Sequence, residues 1–271
     1  MRLFAIPLAF LFTGFLLTVP PAFAASSTEP SQAEIDEIIT KFAAKEAEFA
    51  RARGNYTYRQ TAKIQELDES GNPHGKYEIV SDIVFTPSGK RTEKVVRAPV
   101  TTLQNIILTP EDEQDLRDVQ PFVLTSTEVP QYFIRYLGKQ KLDEIPCYTF
   151  AVKPKKLEPG KRYFEGQVWV DDKDLQIVKS YGRGVGLLKK NSDNQFPKFE
   201  TYREQVDGKY WFPTYTIAND TLNFKAGPQR IRETVKYEDY KQFKAESQIK
   251  YGDAAEPAPP TPPVKEPAKK P

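Results

Sequence analysis

The residues that usually carry nucleophilic or metal chemistry are scarce, because the chain contains one histidine, His74, and one cysteine, Cys147. His74 lies in the turn sequence NPHG, which favours a solvated side chain. No Gly-x-Ser-x-Gly sequence is present to hold a serine nucleophile, and one histidine with one distant cysteine does not make a zinc ligand set. Cys147 starts an apolar strand pattern, which predicts a buried thiol. The sequence therefore predicts no catalytic residue, no metal ligand and no cofactor.

Acidic and glycine-rich clusters are the other candidates for chemistry. Asp171, Asp172 and Asp174 could suggest calcium, but the twelve-residue loop with its central glycine and closing glutamate is absent, which favours an acidic β-turn. The sequence GRGVG at residues 182–186 is superficially similar to a phosphate-binding loop. Residues 187–192 are too few and too polar for the helix such a loop requires, so we expect a flexible turn. A carboxylate pair assembled only in three dimensions remains open.

The charge balance excludes one class of function. The chain has 39 lysine and arginine residues against 37 aspartate and glutamate residues, a formal net charge of +2. Proteins that bind nucleic acid carry a clustered basic excess, so we expect no nucleic-acid partner. No pattern indicates assembly, and we expect a monomer.

Both ends of the chain have a composition unlike the middle. Arg2, the uncharged apolar residues 3–19 and the sequence AFA at residues 22–24 predict a signal peptide over residues 1–24 that is cleaved during export. No cysteine lies near the cut, so the mature protein is expected not to be lipidated. Residues 253–271 are rich in proline and predict a disordered tail, either a spacer or dock or a solvated tail without a partner.

The clearest predicted helix covers residues 31–53. Ser31 and Glu34 form a capping box, and Gly54 is placed to end the helix. Apolar residues recur at helical spacing, and Glu46 interrupts this stripe for one turn. The helix must lay its apolar stripe on another element, and a sheet is the natural partner. A second, shorter helix is predicted from Thr109, with a proline at its first position, to about Asp118.

Most of the remaining chain has the period of two that is typical of strands. Hairpins are predicted around residues 171–174 and around Asp207 and Gly208, and residues 122–128 also have strand-like content. We expect nine to eleven strands in one curved antiparallel sheet, a mainly β fold with helices. Its apolar inward face is expected to comprise Tyr56, Tyr58, Ile64, Tyr77, Ile79, Ile83, Phe85, Val168, Val170, Ile177, Tyr210, Phe212, Ile231 and Val235. Side chains could fill this interior or leave a cavity for an apolar ligand.

Several sheet motifs resemble those of a known family. The sequence FEGQVWVD at residues 164–171 runs on into LQIVK at residues 175–179, and FETYRE at residues 199–204 precedes YWFP at residues 210–213. Together they are similar to the bacterial outer-membrane lipoprotein-sorting proteins of the LolA/LolB-like family, over residues 31–250.

The resemblance implies a single β half-barrel domain over residues 31–250, closed by helices around an apolar cavity that holds acyl chains. It also implies a periplasmic carrier without catalytic activity, whose partners are lipid or lipidated protein cargo and membrane-associated donor and acceptor proteins. Two other classes stay open from the residues alone. One is an exported scaffold with a filled core, and the other is a carboxylate-dependent hydrolase.

Overall fold

A computed structural model describes residues 29–86, 90–190 and 192–242. The predicted signal peptide, the predicted proline-rich tail and the last residues of the predicted 31–250 domain lie outside these residues. Within the described part, every strand belongs to one antiparallel sheet of ten strands, as the alternating pattern predicts. No helix of the described part is long and apolar enough to cross a membrane.

The first helix, α1, spans Gln32–Arg53 and confirms the predicted capping. The Ser31 side chain accepts a hydrogen bond from the Glu34 amide, and the Ser31 amide donates to the Glu34 carboxylate at 2.8 Å. Phe42 and Phe49 are fully buried on its inner face, and Gly54 follows the last turn. Phe42 lies against Phe150 of the sheet, with ring centroids 5.3 Å apart, so α1 covers the sheet as its amphipathic pattern predicts.

The strands follow the predicted alternation closely. They are β1 (Tyr56–Leu67), β2 (Pro73–Phe85), β3 (Arg91–Arg97), β4 (Tyr132–Leu142), β5 (Ile145–Pro154), β6 (Arg162–Asp171), β7 (Ile177–Gly186), β8 (Phe199–Gln205), β9 (Trp211–Phe224) and β10 (Gly227–Gln242). The predicted middle helix is present as α2 (Pro110–Gln114), which Thr109 caps and a π-helical turn, Asp115–Val119, continues.

The order of the strands forces one connection to cross the sheet. The order is β3-β2-β1-β10-β9-β8-β7-β6-β5-β4, so the first and last strands of the chain pair in its interior. Consecutive strands β3 and β4 therefore lie at opposite edges, roughly 43 Å apart if nine spacings were laid flat. Residues 98–131, which we call the crossing segment, connect these two edges.

The sheet is open and strongly curved, which confirms the predicted half-barrel. Tyr56 of β1 and Phe212 of β9 are separated by β10, yet their ring centroids lie 4.6 Å apart. Phe164 of β6 and Phe199 of β8 approach to 5.9 Å in the same way. Backbones two strands apart are separated by roughly 9–10 Å, so these rings converge on a concave face.

Two local expectations are wrong, for related reasons. Residues 182–186 form part of β7 and not a flexible turn. A Cβ atom at Gly182 would lie 2.8 Å from the Phe164 ring, and one at Gly184 would lie 2.0 Å from the Asp115 carboxylate, so glycine makes room for these groups. Residues 122–128 form no strand. Phe122 and Leu124 are buried because this part of the crossing segment packs on the sheet. Their spacing of two residues is the same as that of buried residues in a strand, which explains the wrong prediction.

Candidate functional site

The crossing segment lies along the concave face and is tied to the sheet by buried polar groups. Asp115, in its π-helical turn, accepts two hydrogen bonds from Arg162 of β6, at 2.8 Å from Nε and 2.5 Å from Nη2. Both side chains are almost fully buried. Burial raises the pKa of Asp115 to about 6, against the opposing effect of the Arg162 guanidinium. Gly184 lies directly behind this carboxylate.

A second tie is made by Glu66 of β1, whose side chain is fully buried. Its carboxylate accepts hydrogen bonds from three consecutive backbone amides of the crossing segment, those of Gln104, Asn105 and Ile106, at 2.6 to 2.8 Å. The early part of the crossing segment has no helix or strand of its own here, so this carboxylate satisfies donors that would otherwise lack partners.

A third tie joins the crossing segment to β10 and β8. Gln120 donates a hydrogen bond to Glu233, and its carbonyl oxygen accepts one from Thr201 at 2.9 Å. Burial, with a contribution from the nearby acidic groups Asp112 and Asp115, raises the pKa of Glu233 to about 7 against the opposing effect of the Gln120 hydrogen bond. The Glu233 carboxyl therefore gains or loses its proton near neutral pH.

The fourth tie connects α1, the sheet and the crossing segment through Arg203 of β8. Its Nη1 lies 3.2 Å from both carboxylate oxygens of Glu46, and its Nη2 donates to the carbonyl oxygen of Phe122. The Ile177 amide of β7 donates to the same Glu46 carboxylate at 3.0 Å. Glu46 and Arg203 are both buried, so each requires the other to offset the loss of water.

A cavity of about 410 Å³ opens between the crossing segment, the end of α1 and the two arms of the sheet. Six of its eighteen lining residues are aromatic, and seven others are charged. The aromatic residues are Tyr58, Phe85, Phe122, Tyr132, Tyr163 and Phe164. Phe122 stacks on Phe164 at 4.6 Å, so the crossing segment contributes to the apolar wall. The volume lies within the range of roughly 300–1,000 Å³ that small-molecule sites occupy.

Comparison with known proteins gives similarities to solved structures at low sequence identity. No protein-family model matches the chain, and no curated protein matches it. It is similar to a DUF1329 family protein from Desulfovibrio piger, with 12% identity over 81% of this chain and 96% of that chain and a TM-score of 0.39. It is also similar to a LolA superfamily protein from Nitrosomonas europaea, with 13% identity over 77% and 93% and a TM-score of 0.34. A third similar structure is a domain from Vibrio parahaemolyticus described as an outer membrane lipoprotein-sorting protein domain. It has 13% identity over 77% of this chain and 95% of that chain, with a TM-score of 0.34.

Proteins of the LolA superfamily are thus among the solved structures that this chain resembles, as its motifs predict. At these identities the likeness concerns the fold alone.

The predicted inward residues are distributed over several environments. Two of them, Tyr58 and Phe85, line the 410 Å³ cavity, and Ile64 and Ile231 border a much smaller space of about 40 Å³. Tyr77 is half-buried opposite Ile64. The others pack into three apolar clusters of the interior: Tyr56, Tyr210 and Phe212; Ile79, Ile83 and Val235; and Val168, Val170 and Ile177.

The concave face directly beneath α1 is packed by Phe42, Phe49, Phe150 and Phe212. The open space therefore lies beside the helix, next to the crossing segment. Whether the predicted residues contact a ligand stays a prediction.

The polar ties were missed by sequence reasoning, although three of them left a signal. Glu46 interrupts the apolar stripe of α1, and such an interruption on a buried face indicates a paired charge. Glu233 lies on β10 between the buried apolar residues Ile231 and Val235, and Glu66 lies on β1 two residues after the buried Ile64. Their partners in the crossing segment leave no pattern, because they are joined only by the topology of the sheet.

Proposed function

We propose that the protein is a non-catalytic carrier that binds the acyl chain of a lipid or a lipidated protein at the concave face. The observation that carries this proposal is the cavity of about 410 Å³ beneath a segment that crosses the sheet, one wall of which is aromatic. An acyl chain gains roughly 0.8 kcal/mol for each CH₂ group that it removes from water. Such a ligand needs shape and apolar walls, and it needs no catalytic group.

We infer that the crossing segment acts as the cover of the cavity. It belongs to no strand of the described sheet, so the strand ladder does not depend on it. Its contacts with the concave face are polar, as at Asp115 and Gln120, and also apolar, since Leu116, Val119, Phe122 and Leu124 are buried in the core. Opening of the cover therefore requires both kinds of contact to separate.

The hydrolase alternative is disfavoured by the space around the buried acids. Asp112, Asp115 and Glu233 border a cavity of only about 30 Å³. That volume holds about two or three water molecules and is too small for a substrate. Asp115 and Glu233 hold the crossing segment in place through Arg162 and Gln120, and Asp112 caps the start of α2 at Thr109.

The compartment and the partners belong to the same proposal. Residues 1–24 are proposed to direct export to the periplasm, where a monomeric carrier takes cargo from a membrane-associated donor and delivers it to a membrane-associated acceptor. Cell fractionation followed by N-terminal sequencing tests the first step. A mature chain that starts at Ala25 in the periplasmic fraction is expected, and an intact chain retained in the cytoplasm contradicts the assignment.

Native mass spectrometry of protein purified from its own envelope tests the carrier function, together with uptake of a fluorescent fatty acid. Val123 lines the cavity and is half-buried, so Val123→Trp should reduce uptake by filling the space. Val95→Trp is the matched control, because Val95 is 52% exposed on the edge strand β3. No co-purifying lipid and no uptake by the unaltered protein would count against the carrier.

A second candidate, an exported scaffold, is favoured by a groove of about 620 Å³ on the outer face of β4–β7. Phe133 and Tyr181 are 62% and 38% exposed there, and the cations Arg135 and Arg183 outnumber the one acid, Glu165, among these neighbours. The groove suits an extended acidic peptide with aromatic residues. Under this alternative, replacing Phe133 and Tyr181 with serine abolishes binding of such a labelled peptide and leaves fatty-acid uptake unchanged.

A further inference from the structure

Arg53 is a cation at the wall of the 410 Å³ cavity, where its nearest compensating charge, Glu46, is already paired with Arg203. Arg53 is the last residue of α1, and its guanidinium lies over the rings of Phe49 and Phe85, at 5.8 and 5.9 Å from their centroids. It forms no salt bridge within the described residues, and its Nε is buried without a hydrogen-bond acceptor there. A buried N–H without an acceptor costs free energy, so a bound acceptor would stabilise this arrangement.

Arg91, from a different element, faces the same cavity. It is the first residue of β3, and its Nη1 and Nη2 reach Glu93 at 3.2 Å and Gln60 at 2.7 Å. Its Nε is also buried without an acceptor in the described part of the chain. Two arginines from α1 and β3 therefore line one cavity, and each keeps one buried donor unused.

The other charged groups around the cavity are already compensated. Arg162 is paired with Asp115, and Arg117 lies 3.2 Å from Asp118. Lys161 lies 2.6 Å from Glu158, and Glu128 accepts two hydrogen bonds from Thr125. The unused donors therefore belong to the side of the cavity formed by α1 and β3, and the stacked rings of Phe122 and Phe164 lie in its apolar wall.

We propose that this cavity binds an anionic amphiphile, with a carboxylate or phosphate head at Arg53 and Arg91 and an apolar chain along the aromatic wall. Guanidinium groups match these heads because they donate in a planar fork to two oxygens. The proposal deepens the carrier function and rests on it, since the same cavity is taken to hold the chain. It adds a preference for charge that an apolar chain alone does not explain.

Competition against a bound fluorescent fatty acid tests this preference, with oleate, oleoyl lysophosphatidate and monooleoylglycerol at concentrations below micelle formation. We expect the two anions to compete roughly tenfold better than the neutral lipid. A tenfold difference in affinity is about what one charge-assisted hydrogen bond contributes. Arg53→Gln should remove this difference by weakening competition by the two anions much more than competition by the neutral lipid. Arg51→Gln, in the same turn and exposed, is the matched control and should change nothing. Urea unfolding of each variant establishes that it is folded.

Each other outcome contradicts a distinct claim. Equal competition by charged and neutral lipids, or a preference that survives both Arg53→Gln and Arg91→Gln, overturns the headgroup site and leaves the carrier function standing. Failure of all three amphiphiles to compete overturns the carrier function and this proposal with it. Displacement by inorganic phosphate alone, at the concentrations at which oleoyl lysophosphatidate competes, shows a site for a free anion and overturns the amphiphile.

Discussion

Gly184→Ala should detach the crossing segment from β6 without touching that segment's own sequence. A Cβ atom at position 184 would lie 2.0 Å from one Asp115 oxygen and 2.4 Å from its Cγ. The carboxylate must therefore move by about 1 Å or more to restore ordinary contact distances, which breaks its hydrogen bonds with Arg162. Separating one partner from a buried ion pair costs roughly 3–5 kcal/mol. We expect a loss of about 3 kcal/mol in the free energy of unfolding.

A double-mutant cycle gives this prediction its control. Asp115→Ala alone should also destabilise the protein, because Arg162 is left buried without its partner. Once the carboxylate is absent, however, the added methyl group meets no obstacle from it. Gly184→Ala in the Asp115→Ala background should then change stability by less than about 0.5 kcal/mol.

Urea unfolding followed by tryptophan fluorescence measures all four proteins of the cycle. Equal effects of Gly184→Ala in both backgrounds would refute the placement of Asp115 against Gly184. A second measurement concerns function, because a detached crossing segment should admit ligand more readily. Uptake of fluorescent fatty acid by Gly184→Ala is expected to be faster than uptake by the unaltered protein, and unchanged uptake contradicts the role of the segment as a cover.

Three further predictions concern the interior. The native Glu233 carboxyl keeps its proton up to about pH 7, whereas the unfolded chain releases it near 4.5, so the free energy of unfolding should fall by roughly 3 kcal/mol between these values. Glu233→Gln should flatten that decline in urea titrations at several pH values, and an unchanged slope contradicts it. Phe212→Ala should cost about 3–5 kcal/mol in the same assay, because the fully buried ring packs against Phe49, Tyr56 and Tyr240. Cys147 is fully buried with its pKa raised to about 11 by burial, so a thiol reagent at pH 8 should label it only after unfolding, and rapid native labelling refutes this.

The sequence determines the local elements of this protein. Capping residues mark the start of α1 at Gln32, and alternation of apolar and polar residues marks most strands within a few residues. Both signals arise from residues that are close together in the chain, so they can be recognised without knowledge of the fold. The same logic predicted a buried thiol at Cys147, which the structure confirms.

Tertiary structure decided the rest, because the decisive contacts join residues far apart in sequence. The pairing of β1 with β10 places β3 and β4 at opposite edges, and only this arrangement sends residues 98–131 across the concave face. The glycines of β7 were misread as a turn because their cause, the space taken by Phe164 and Asp115, lies elsewhere in the chain. Sequence alone indicates an apolar interior, whereas the fold decides which part is packed and where a cavity stays open.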